Sequence, residues 1–178
     1  MPSWQPYGSD VIGAKHLANS AGGFEPQREH NFEILLTPPV GDGQVLLKSV
    51  ETGFAPSHSS EPLMLPYMNE IVYVAGRPMY APGTITFRDF VDQVTYSLLE
   101  SWYKLVYDPY TSIIGFASDY KGAGTLTLMD CKGLRPRQWD IVGIWPQDIT
   151  PNMPTHMGGD VWRVNVNFQY DKAVPKFV

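Results

Sequence analysis

Polar and apolar residues alternate most strictly near the end of the chain. Trp162, Val164, Val166, Phe168 and Tyr170 fall on one face of an extended backbone, and Arg163, Asn165, Asn167, Gln169 and Asp171 fall on the other. A period of two over residues 162–171 predicts a strand with one buried and one wet face. At the rise of a β-strand it is about 33 Å long. A shorter alternation predicts a strand at 31–36, with Phe32, Ile34 and Leu36 inward and Pro38-Pro39 as the stop. Another predicts a strand at 83–88, with Ile85 and Phe87 opposite Thr84 and Thr86. Less regular patterns predict strands at 44–52, 70–74, 125–130 and 139–145, the last ended by Pro146.

One segment changes period. Val91, Val94, Leu98, Trp102 and Leu105 recur every three or four residues, and Phe90, Leu99 and Val106 widen the stripe. This predicts an amphipathic helix over 90–107, with Gln93, Ser97, Glu100 and Lys104 on its polar side. Asp89 is its expected N-cap and Asp92 supplies a carboxylate to the first turn. Asp108 precedes Pro109, where helical backbone is disfavoured, so the helix ends there. Its length is about 27 Å. Residues 52–66 and 150–159 read as loops rich in proline, and residues 1–30 as an N-terminal arm holding at most a weak helix over 9–20. Many strands and one helix predict a mainly β fold: an antiparallel β-barrel or sandwich of two packed sheets with one flanking α-helix. There is no repeat, linker or low-complexity tract, so residues 1–178 read as a single domain.

Composition narrows the picture. With 43% hydrophobic residues the chain can build a core, and 16 prolines and 16 glycines imply frequent turns. The net charge of −5 leaves little for a basic face that would grip DNA. Cys131 is the single cysteine, which excludes an internal disulfide and a cysteine cluster for zinc. The N-terminus shows neither a basic nor an apolar leader region, and no apolar run approaches the roughly 20 residues of a spanning helix. The expectation is a soluble protein made in a cytoplasm, without stable membrane insertion.

Candidate chemistry is sparse. His16, His30, His58 and His156 lie in separate segments, with no pair at the spacing that sets two imidazoles on one helix face. No serine stands in a nucleophile elbow. Gly122-Ala123-Gly124 leads into a strand and lacks the Lys-Ser/Thr of a phosphate loop, so it reads as a turn. Asp148 and Asp160 lie in or near loops with nothing to set their separation. Arg135-Pro136-Arg137 beside Trp139 is the nearest approach to a basic-aromatic patch. No catalytic residue, metal ligand or cofactor is expected, and the function reads as structural rather than enzymatic.

The order of features resembles that of the tail tube proteins of contractile-tailed bacteriophages, which are related to the tube proteins of other contractile injection machines. Leu65-Pro66-Tyr67-Met68-Asn69-Glu70 leads into a strand ending at Gly76. Gly83-Thr84-Ile85-Thr86-Phe87-Arg88-Asp89 leads into the helix that ends in Tyr107-Asp108-Pro109. Gly143-Ile144-Trp145-Pro146 and Ile149 follow, and the long strand ends in Phe168-Gln169-Tyr170-Asp171. The likeness runs from about Asn31 to Ala173 and is weaker over residues 1–30.

The resemblance implies homohexameric rings that join their sheets around a channel. The rings stack into a hollow tube inside a contractile sheath and conduct DNA into the host. Implied partners are further copies of the chain, a sheath protein, and baseplate and tail terminator proteins. DNA passes without sequence-specific binding, and the expected location is a virion tail assembled in the host cytoplasm. Asn165, Asn167 and Gln169 are then expected to line the lumen, with Glu33 and Thr86 beside them, while Arg163 pairs with an acid of the next subunit. The helix stays outside the channel. The 52–66 loop, through Phe54, Pro56, His58, Glu61, Leu63 and Leu65, is expected to carry ring-to-ring contacts. Two other readings stay open. One is a baseplate tube-initiator or secretion-system tube ring of the same fold. The other is a monomeric β-sandwich that binds carbohydrate through Trp4, Trp139, Trp145 or Trp162.

Overall fold

The strand with the clearest alternation lies at the centre of the sheet. The computed structural model describes residues 29–129, 137–153 and 159–177. Its strands are β1 (Phe32–Thr37), β2 (Val50–Thr52), β3 (His58–Tyr67), β4 (Glu70–Tyr80), β5 (Gly83–Arg88), β6 (Tyr107–Asp108), β7 (Ile113–Ile114), β8 (Gly122–Leu128), β9 (Arg137–Pro151), β10 (Arg163–Gln169) and β11 (Lys172–Phe177). The helices among the described residues are α1 (Gly43–Ser49), α2 (Val94–Val106) and the single turn α3 (Ala117–Tyr120). Seven strands form one antiparallel sheet in the order β1-β8-β9-β10-β5-β2, with β11 also on β9. The first part of β9 pairs with β8 and β11, and its second part, from Trp145, pairs with β10. The strand thus joins two halves of a nearly closed barrel, giving the mainly β architecture that the alternation predicts.

The core fills the space between the halves. Val164, Val166 and Phe168 of β10, Ile85 and Phe87 of β5, Ile34 and Leu36 of β1, and Ile141 and Ile144 of β9 all point inward. Tyr170 continues the buried row of β10. Trp162, expected in that row, lies before the strand and is 40% exposed. The register ends at Arg163 with β5 and at Val164 with β9, so the alternation outruns the ladder.

Helix α2 closes the core from one side, but it is shorter than the pattern predicts. Thr95, Leu98, Leu99 and Trp102 are buried, while Phe90, Val91 and Val94 are exposed. Gln93, with a left-handed φ of 54°, occupies the N-cap position without a side-chain cap. Asp89 still serves the first turn: its carboxylate accepts from the Phe90 and Tyr96 backbone N–H groups at 3.0 and 3.4 Å. Trp102 is fully buried, donates from Nε1 to the Tyr120 carbonyl at 2.7 Å, and packs on Phe168 with ring centroids 5.6 Å apart.

Four further expectations are corrected. Residues 44–52 are not one strand: helix α1 occupies Gly43–Ser49, and only Val50–Thr52 pair, with β5. Asp42 caps that helix by accepting from the Gln44 N–H at 2.9 Å, and Leu46 and Ser49 turn inward. A short apolar run does not distinguish the two periods by itself. Residues 52–66 are not a loop throughout, because His58–Tyr67 form β3, paired with a β4 that runs on to Tyr80. Strand β9 does not stop at Pro146 but continues to Pro151. Pro146 lies opposite Phe168, beside a register irregularity where a missing N–H is tolerated. Gly122, Ala123 and Gly124 belong to β8 rather than to a turn. All of the expected arm but Glu29 and His30 lies outside the described residues, as do Trp4, His16, Cys131, Arg135 and His156.

Candidate functional site

Two surfaces stand out, a polar wall and an apolar arm. The wall is the outward side of one half of the sheet, opposite Val164, Val166 and Phe168. Antiparallel register sets Arg163 against Arg88, Asn165 against Thr86 and Asn167 against Thr84. On the other side of β10, Asn165 faces Thr150 and Asn167 faces Asp148. Directly opposite residues share a face, so these side chains form one surface. Its polar groups satisfy one another. Thr84 Oγ1 donates to Asn167 Oδ1 at 2.6 Å and Thr86 Oγ1 to Asn165 Oδ1 at 2.8 Å. Thr150 Oγ1 donates to Asp148 at 3.1 Å, and Asn167 Nδ2 reaches the same carboxylate at 3.5 Å.

The structure brings Asn165, Asn167 and Thr86 together as expected. It does not bring Glu33 to them. Glu33 lies opposite Thr127 on the other half of the sheet, whose outward face also carries Gln138 and Asp140. Gln169 sits at the end of the wall, where its amide donates to the carbonyls of Tyr80 and Tyr170 at 3.4 and 3.2 Å. Arg163 has an acidic partner within its own chain. Its Nε and Nη2 donate to the two oxygens of Glu51 at 2.8 and 3.0 Å. Arg88 approaches the same carboxylate at 3.8 Å. The hydrogen bond from Arg163 holds the Glu51 carboxyl below its ordinary range, helped by the charges of both arginines and opposed by partial desolvation. Glu51 was not legible as a site residue, since nothing in a presumed strand over 44–52 pointed it toward residue 163.

The arm is the β3–β4 hairpin. Tyr67 pairs with Glu70 across a tight turn in which Met68 has a φ of 52°. Leu63, Leu65, Val72 and Val74 occupy one face, and Met64, Ile71 and Tyr73 the other. All seven are exposed, and Met68 at the tip is 91% exposed. Three prolines hid this hairpin from a reading of pattern. Pro62 and Pro78 flank a register irregularity, and Pro66 sits beside the turn. A two-stranded hairpin has outward edges that do not need every N–H.

The expected stacking residues divide between arm and root. Glu61 lies at the irregularity, and Leu63 and Leu65 lie on the arm. His58 opens β3 and tilts against Tyr80, and Pro56 precedes the strand. Phe54 belongs to the root instead: it stacks on Tyr170 with centroids 5.6 Å apart and covers Gly83. Tyr170 clamps that root, with its hydroxyl bonded to Ser57 and its ring 5.8 Å from Tyr80.

The other candidates do not converge. Asp148 bonds within the wall, and nothing places Asp160 beside it. The Arg137 guanidinium lies over Trp139 at 5.7 Å. Trp145 packs edge-on against Tyr120, and Trp162 lines a separate groove with Phe90 and Tyr96. Trp139, Trp145 and Trp162 therefore face different neighbours and form no common platform. Among the described residues, no group of three His, Cys, Asp or Glu side chains could hold a metal ion. No described helix is long and apolar enough to cross a membrane.

No family model matches the chain, and no curated protein matches it. Solved structures do. A chain of the anti-feeding prophage (AFP) baseplate superposes with a TM-score of 0.66 at 9% identity, covering 86% of this chain and 97% of that one. A chain of the sheath/tube terminator of an extracellular contractile injection system, PVC, gives 0.66 at 12% identity, with 88% and 99% covered. A chain of the PVC sheath-tube complex gives 0.62 at 14% identity, with 93% and 97% covered. At such identities the likeness concerns the fold, which bears out the resemblance at that level. The protein has the fold of chains that build the tubes, terminators and baseplates of contractile injection systems.

Proposed function

We propose that this chain is a non-enzymatic structural subunit of a phage tail tube. Six copies close into a ring, rings stack into a hollow rod inside a contractile sheath, and DNA passes through the lumen. The observation that carries the reading is the arm. A hairpin apolar on both faces and held, among the described residues, only at its root is marginal alone in water, and exposed apolar surface of this kind marks an interaction site. Copies of the same chain, stacked above and beside it, supply the cover. The seven-stranded sheet also ends at β1 and at the three-residue β2, which leaves edges that a ring can join. In this arrangement the wall of Asn165, Asn167 and Thr86 lines the channel and α2 lies outside it. Sheath, baseplate and terminator proteins are the further partners, and the location is a virion tail assembled in the host cytoplasm.

Negative-stain microscopy of the purified chain, with light scattering across a concentration series, tests this. Rings or hollow rods are expected. A monomer at every concentration would overturn the reading and favour a lone β-sandwich. Because terminator and baseplate chains share the fold, the copy number per particle separates the roles: many rings for a tube, one for an initiator or a cap.

A further inference from the structure

The only cations on the polar wall among the described residues are Arg88 and Arg163, and they stand directly opposite each other on β5 and β10. Like charges at such positions repel. Two adjacent guanidiniums are also a good phosphate ligand, since each presents a planar fork that matches phosphate oxygens. Glu51 occupies that fork. It is bidentate to Arg163 at 2.8 and 3.0 Å and lies 3.8 Å from Arg88. The register irregularity of β2 falls between Val50 and Thr52, at Glu51 itself. The extra residue brings the carboxylate over the wall to meet both arginines. The remaining wall residues are neutral amides and hydroxyls bonded to one another, plus the acid Asp148.

We propose that Glu51 is the charge-quenching residue of this wall: it occupies a latent two-arginine phosphate site so that nucleic acid passes without being held. The proposal rests on the reading of this face as a channel wall. Without Glu51, every copy would present two guanidiniums stripped of their bridging carboxylate, with only the weaker pull of Asp160 on Arg163, and a ring would repeat them around the lumen. Each phosphate neutralised adds to a salt-dependent affinity, which turns a smooth channel into a retaining one. With Glu51 in place the arginines instead pin the short edge strand to the sheet.

The test is a titration of the purified full chain into a short fluorescein-labelled DNA duplex at low salt, read by anisotropy. Wild type is expected to bind weakly or not at all. Glu51→Gln, which keeps the size and hydrogen-bonding reach of the side chain, is expected to raise affinity about tenfold or more, with the gain lost at high salt. Adding Arg88→Gln and Arg163→Gln to that variant is expected to restore wild-type behaviour. A folded Glu51→Gln protein with unchanged DNA affinity overturns the proposal, and so does a gain that survives loss of both arginines. Glu51→Ser serves as the second variant if the first is insoluble, and failure of both to fold would assign Glu51 a purely structural role. The titration needs no assembled tube. Rods without a gain in DNA binding sink only the quenching role, whereas a gain without rods sinks the channel reading and leaves Glu51 only as the occupant of a two-arginine phosphate site.

Discussion

Gly143 marks the point where β9 changes partners. Its φ of 69° is open to glycine and strained for other residues. A Cβ there would run into the carboxylate of Asp171, whose backbone N–H donates to the Val142 carbonyl at 3.0 Å. Lys121 Nζ bonds both oxygens of that carboxylate at 2.8 Å, so β8, β9 and the β10–β11 corner meet at one small residue. Thr95 is a different case. It is fully buried at the start of α2, and its hydroxyl has no hydrogen-bond partner among the described residues. A buried hydroxyl left unpaired costs free energy, and an apolar group of the same shape avoids that cost. Thr95→Val is expected to stabilise the fold by about 1 kcal/mol. Urea unfolding at fixed protein concentration checks it, and a lower midpoint would show that the hydroxyl is satisfied.

At the scale of elements, periodicity sets the type of each segment and packing sets its ends. Helix α2 was recognisable from its stripe, yet its first apolar residues, Phe90 and Val91, stay outside because the chain turns through the left-handed Gln93 before the helix begins. What anchors the helix is Trp102, packed on Phe168 and bonded to the Tyr120 carbonyl. Trp102→Ala removes a fully buried ring and leaves that carbonyl unpaired, and it is expected to cost roughly 3–5 kcal/mol. An equally stable variant in a chemical denaturation curve would mean that the helix does not depend on this contact. The β3–β4 hairpin shows the opposite balance. Among the described residues, nothing covers it beyond the root at Tyr170 and Tyr80. Replacing residues 62–75 with a tight turn is therefore expected to leave the barrel folded, with little change in its melting. The same variant is expected to stop at soluble subunits or single rings in the microscope. Tubes of ordinary length from it would remove the arm from the stacking contact.

For the whole molecule, the division between a wet wall and a dry arm is what an assembly subunit needs. The wall presents amides and hydroxyls to solvent and carries its arginines already paired. Lysines at Asn165 and Asn167 would add two cations to every copy, more than Asp148 opposite residue 167 can offset, without touching the core face of β10. Assembly is expected to continue, while DNA passage slows or stops and recovers at higher salt. Normal ejection rates from Asn165→Lys/Asn167→Lys particles would place the wall elsewhere than in the lumen.

The sequence by itself determined the class of the molecule. Strict alternation in Val164, Val166 and Phe168 could satisfy only a half-buried strand, and the spacing of Leu98 and Trp102 only a helix against a sheet. Asn165, Asn167 and Thr86 were legible as one polar face because period two depends on local geometry alone. Tertiary structure decided whatever depends on partners distant in the chain. The prolines of residues 56–66 suggested a loop until β4 paired with β3. Val45 and Leu46 fitted a strand until α1 turned Leu46 into the core. Glu33 and Asn165 looked alike as polar strand positions, and only the sheet order put them on different halves. The partner of Arg163 lay 112 residues away at Glu51, because an ion pair across strands is set by register, which one strand's own pattern does not contain.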